Sequence, residues 1–225
     1  MHKKAKNAKM PTIAAARQWY AQDDPVHGFD HVLRVYGMAE HLAQAEGADL
    51  EIVRAAALLH DAGDEPGLPQ DASGAQRRNH QHNSAEFAGE VLRGEGWEAE
   101  RVAAVQHCIR AHRFRDSSEP PRTREAQVLF DADKLDAIGA VGVARAIAHS
   151  AAHGLPFYCE PSDNFLKTSE MGPGEVHSAY HEYLFKLVKL KDQLFTSTAL
   201  GMASERHAFM EAYFQQLAAE VRAEK

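Results

Sequence analysis

The run Leu58-Leu59-His60-Asp61-Ala62-Gly63-Asp64-Glu65 closes an apolar stretch with one histidine and three acids. His60 lies eight residues after Ile52 and four after Ala56, so on a helix it shares their apolar face and turns inward. His31 stands four residues before Val35 and eight before Ala39, and Asp133 stands four after Leu129 and four before Ala137. Three helical segments therefore each aim an ionisable group at an apolar interior, with Asp61 beside His60. A buried, unpaired carboxylate is unfavourable enough that such acids are usually paired or bound to a metal. Two imidazole nitrogens and two carboxylate oxygens suit one divalent transition ion, Mn(II), Fe(II), Co(II) or Zn(II), better than an all-oxygen magnesium or calcium site. Taken singly, each residue has a plainer role: a core histidine, or an acid that complements a helix dipole. Their coincidence on separate helices is what points to a cation.

The elements that must position these groups read almost entirely at helical period, with no alternation of strand type. Residues 31–46 place Val32, Val35, Tyr36, Ala39, Leu42 and Ala43 on one stripe, and Gly47 ends that helix. Asp49 is the expected N-cap of the next helix, which is apolar around most of its circumference, and Gly63 and Pro66 stop it. Residues 66–82 are polar and Gly/Pro-bearing, the signature of an irregular loop and a candidate lid. Asn83 with Glu86 forms a capping-box pattern opening another helix, and 97–114 aligns Val102, Val105, Ile109 and His112. One long helix is predicted from about Glu125 to Ala152, a loop over 153–175, and two helices over 176–195 and 198–222. The expected fold is all-α: a single-domain helical bundle over 12–225, after a flexible tail of residues 1–11. Its metal-site core would cover about 27–150 and its C-terminal helices about 176–222.

Bulk properties narrow the function classes. The 225 residues, 44% hydrophobic and 25% charged, suffice for a substantial core. Two well-separated cysteines, Cys108 and Cys159, support neither a disulfide framework nor a zinc ribbon. No run is apolar enough to span a membrane and the basic N-terminus has no signal-like apolar stretch, so a cytoplasmic location is expected. A net charge of -7 argues against broad nucleic-acid binding.

His31, then His60-Asp61, then Asp133 match the H…HD…D pattern, and the blocks "FDHVLRV", "AALLHDAGD" and "DADKLDAIGAVGVAR" extend the match. The chain, from about residue 20 to 220, resembles the HD-domain metal-dependent phosphohydrolases of the YpgQ/YedJ-like bacterial subgroup. The resemblance implies that His31, His60, Asp61 and Asp133 ligate one divalent ion, Mn(II) foremost. It also implies that an acid at Asp64, with Glu65 beside it, handles the proton. A cation there would polarise a phosphoryl oxygen and acidify water, so phosphoryl transfer would need positioning and charge stabilisation rather than a covalent nucleophile. Substrate phosphates would be met by Lys134, Arg78 and Arg113, with Arg77 and Arg145 as further candidates, and His82 and His112 would line the pocket. His82, His107 and His112 also raise the alternative of a second metal. The function implied is hydrolysis of nucleotides, foremost pyrophosphate release from nucleoside or deoxynucleoside triphosphates, by a monomer or homodimer. The alternatives are a di-iron oxygenase acting on a small phosphonate or polyol, and a non-catalytic nucleotide-binding module.

Overall fold

The computed structural model describes residues 8–20, 28–63, 75–113 and 119–225, the side chains of 75–79 excepted. Among them the chain forms ten α-helices and no strand. The backbone groups into two compact units, Met1–Asp133 and Lys134–Lys225, a division that falls earlier than the expected end of the metal-site core near 150.

The first unit begins with α1 (Ile13–Ala16) and a 3-10 turn (Arg17–Trp19), followed by α2 (Phe29–Glu46), α3 (Leu50–Leu59), α4 (Ala75–Gly94) and α5 (Ala99–Ala111). α6 (Arg124–Asp136) runs across the division. α3 is the centre of this unit: seven of its ten residues are buried, and it packs on α2, α4 and α5. Its start is set as the sequence predicts, with Asp49 accepting from the Glu51 and Ile52 amides at 2.9 and 3.2 Å, while Gly47 at φ 70° closes α2. The same turn anchors α6, because the Asp49 amide donates to Glu125 at 3.0 Å and Arg124 pairs with Glu46. That tie sets the register that carries Asp133 inward about two and a half turns later.

Several expectations are corrected. α4 starts at Ala75 rather than Asn83, so 75–82 is helix, not loop, and the Asn83/Glu86 pair lies exposed in mid-helix. The "QRRNHQH" stretch is polar but contains no Gly or Pro, so nothing in it breaks a helix. The proposed lid over 66–74 lies outside the described residues. Residues 8–11 are not free tail: the Lys9 amide donates to Glu95 at 3.1 Å, and the Lys9 carbonyl accepts from the Trp97 indole at 2.9 Å. Finally, 125–152 is two helices.

The second unit contains α7 (Gly139–Ala152), α8 (Asp163–Thr168), α9 (Ala179–Phe185), a 3-10 stretch (Leu187–Gln193) and α10 (Ser197–Val221). The break before α7 comes from Gly139, which adopts φ 75° and lies so close to Arg206 that an added Cβ would stand 3.0 Å from that side chain. Arg206 in turn donates to the Leu135 carbonyl at the end of α6, and Arg145 pairs with Asp136 at 2.8 Å. The predicted helix over 176–195 is shortened to α9 plus the 3-10 stretch, and the predicted loop over 153–175 contains α8.

A buried clasp holds this last region. Glu175 accepts from the Ser162 amide and hydroxyl, both at 2.7 Å, from the Gly172 amide at 2.6 Å, and from His181 Nε2 at 3.1 Å. These donors, the Ser162 amide foremost, hold its carboxyl down from 4.5 to about 2. A depressed carboxyl stabilises the fold fully above its ordinary value, and that contribution fades as pH falls through its folded value. Glu175→Gln should therefore lower the melting temperature most above pH 4.5, with the difference from the parent shrinking toward pH 2 in scanning calorimetry.

Candidate metal centre

His31 lies in the first turn of α2, His60 caps the C-terminus of α3, Asp61 follows it, and Asp133 lies near the end of α6. The structure brings all four together. His31 Nε2 stands 3.4 Å from His60 Nε2, 3.5 Å from Asp133 Oδ1 and 3.8 Å from Asp61 Oδ2, and His60 Nε2 stands 3.4 Å from Asp61 Oδ2. A cation with bonds of about 2.0–2.2 Å keeps its ligand atoms roughly 3–3.5 Å apart. The separations of 3.4 and 3.5 Å fit a shared ion, and the His31–Asp61 distance of 3.8 Å lies just beyond that range.

The local reason for the aim of His60 is the end of its helix, where the last carbonyls lack intrahelical partners. His60 Nδ1 donates to the Ala57 carbonyl at 2.9 Å, which fixes the tautomer and leaves the Nε2 lone pair facing the other three groups. His112 repeats the device as the cap of α5: its Nδ1 donates to the Ile109 carbonyl at 2.5 Å, and its Nε2 points to Asp61 Oδ1 at 3.5 Å.

A second group meets the first at Asp61. His80 Nε2 lies 3.0 Å from Asp61 Oδ1, so Asp61 turns one oxygen to His31 and His60 and the other to His80 and His112. Two sets of donor atoms, His31/His60/Asp133 and Asp61/His80/His112, each lie within 4.8 Å of one another. Burial alone would raise the Asp61 carboxyl, but His60, His112 and His80 overcome it and hold the group well below the usual carboxylate range. Burial also pushes His112 down, against the opposing pull of Asp61. Side-chain exposure falls from 24% at His80 and 16% at Asp61 and Asp133 to 5% or less at His112, His31 and His60. Solvent reaches the cluster from the His80 side.

The remaining expected site residues are distributed unevenly. His82 is exposed on α4, whereas His80, which the sequence did not single out, reaches the cluster. Residues two apart on a helix point about 200° apart, so one register admits only one of them. Ser84 and Ala88, four and eight residues after His80 and both fully buried, share its helical face and are the signal that would have found it. His107 is engaged elsewhere, with Glu119 at 2.6 Å. Arg113 donates to the buried Gln81 at 3.0 Å. Lys134 is 8% exposed and opens the second unit. Asp64, Glu65 and the side chains of Arg77 and Arg78 lie outside what is described.

An H…HD…D set on packed helices defines a class, and the match is direct: an HD domain model covers residues 28–138, and the chain belongs to the HD-domain family. It is 36% identical over 194 residues to YpgQ of Bacillus subtilis, covering 85% of this chain and 82% of that one. The crystal structure of YpgQ in complex with ADP superposes with a TM-score of 0.69 at 32% identity, over 93% of this chain and 98% of that one. An HD-superfamily hydrolase from Bacillus thuringiensis is similar at TM-score 0.67 and 28% identity, over 94% and 95% of the two chains. No helix among the described residues is long and apolar enough to cross a membrane.

Proposed function

We propose that this chain is a metal-dependent phosphohydrolase of nucleotides, foremost one that releases pyrophosphate from nucleoside or deoxynucleoside triphosphates. The observation that carries this reading is the convergence of His31, His60, Asp61 and Asp133 at ligand-like separations. The ADP complex of YpgQ supports a nucleotide as substrate. One divalent ion, Mn(II) foremost, would be held by these four groups and would supply Lewis acidity toward a phosphoryl oxygen and a lower pKa for water.

The chain's own residues do the rest. The Ala57 carbonyl holds His60 in its donor tautomer, and the ionised Asp61 balances cationic charge. His80, on the accessible side, takes the pocket-lining place expected for His82, with His112 behind it. Asp64 or Glu65 handles the proton, and Lys134, Arg113 and Arg78 meet phosphate charge. We assign the protein to the cytoplasm, as a monomer or homodimer with no nucleic-acid partner.

The test is a panel of nucleoside and deoxynucleoside triphosphates with Mn(II), resolving phosphate from pyrophosphate. Pyrophosphate with the monophosphate is expected. Failure to cleave any nucleotide, or orthophosphate as the sole inorganic product, overturns the reading.

The Asp61/His80/His112 set favours a second reading, a dinuclear centre with Asp61 as the bridge. Elemental analysis separates the two. On the leading reading the parent and His80→Ala each carry one ion. Two ions in the parent falling to one in His80→Ala would establish the dinuclear centre, and two irons with oxygen consumption would turn the function to oxygenase chemistry.

A further inference from the structure

Residues 8–20 have no expected part in the chemistry, yet Tyr20 reaches the end of α3, just before His60 and Asp61. Its path is held at several points. Lys9 is tied to Glu95 and Trp97, and Thr12 caps α1 by accepting from the Ala15 amide at 3.1 Å. Ala16 is fully buried and shares a cluster with Phe29, Val32 and Leu58. Trp19 stands edge-on to Phe87 with ring centroids 5.6 Å apart, and Tyr20 packs on Phe29 at 5.5 Å. The Tyr20 hydroxyl then donates to the Leu58 carbonyl at 2.9 Å.

That carbonyl belongs to the last turn of α3, two residues before His60 and three before Asp61. A helix end leaves its final carbonyls without intrahelical partners, and a frayed last turn would spread the directions of any side chains on it. Here three successive carbonyls are each taken by a different group: Ala57 by His60 Nδ1, Leu58 by Tyr20, and Leu59 by the Ala62 amide at 3.2 Å. Two of the three partners are local. The third comes from 38 residues away and is the one that ties the turn to a separate part of the chain.

We propose that Tyr20 is a positioning residue for the metal centre, its hydroxyl fixing the last turn of α3 and with it the aim of His60 and Asp61. This rests on the metal reading given above. Groups that orient ligands from behind typically change metal affinity or activity by about 10- to 100-fold when removed.

Tyr20→Phe keeps the ring on Phe29 and deletes only the hydroxyl. Trp19→Leu is the companion variant, loosening the same segment while leaving the hydroxyl in place. Mn(II) affinity of the metal-free full chain, by titration calorimetry, should fall about tenfold in Tyr20→Phe and stay at the parent value in Trp19→Leu. For the nucleotide cleaved fastest, kcat should fall in Tyr20→Phe with KM little changed. Parent affinity in Tyr20→Phe, or an equal loss in Trp19→Leu, overturns the role of Tyr20 alone. Absence of Mn(II) binding by the unaltered chain overturns the metal reading and this role together.

Discussion

Asp61→Asn lowers kcat/KM for nucleotide hydrolysis by at least about 10³-fold, equivalent to roughly 4 kcal/mol of transition-state stabilisation. The substitution is nearly isosteric, so the size of the effect comes from charge. Asp61 faces both donor sets, with Oδ2 toward His31 and His60 and Oδ1 toward His80 and His112. Four imidazoles around a neutral amide would hold a cation without their central counter-charge, in a pocket where His60, His31 and His112 are almost fully buried. Low local dielectric makes that loss larger than it would be at a surface. Steady-state kinetics of the purified variant, with its metal content measured alongside, check the prediction. Retention of more than a tenth of parent activity at full metal occupancy would remove Asp61 from the site.

Phe214→Ala should destabilise the protein by about 3–5 kcal/mol, the range for truncating a fully buried aromatic residue. Phe214 is 0% exposed on α10, stacked on Tyr183 with centroids 4.4 Å apart and close to Tyr180 at 5.9 Å. Removing its ring leaves a cavity and deletes these aromatic pairs, which add about 0.5–1.5 kcal/mol each beyond burial. Urea unfolding followed by circular dichroism gives the value, and a loss under about 1 kcal/mol would mean that the second unit repacks around the gap.

The sequence by itself determined the fold class, and it turned His31, His60 and Asp133 toward the helical interior with Asp61 beside His60. His31, His60 and Asp133 could be read because each falls in register with apolar neighbours, and helical period alone dictates which face a residue takes. The caps at Gly47 and Asp49 were legible for the same reason: their requirements are local, a left-handed backbone at φ 70° and a side-chain oxygen for two amides.

What depended on distant partners was not legible. α4 extends back to Ala75 through a polar stretch with no amphipathic signal of its own, and only that register puts His80 rather than His82 at the cluster. The turn between α6 and α7 is set by Arg206, 67 residues beyond Gly139 in the chain, reaching the Leu135 carbonyl. The split orientation of Asp61 and the hold of Tyr20 on Leu58 are likewise tertiary facts, since each joins groups that no helical period relates. Periodicity encodes which way a side chain faces. Which other group it meets there is decided when the helices pack.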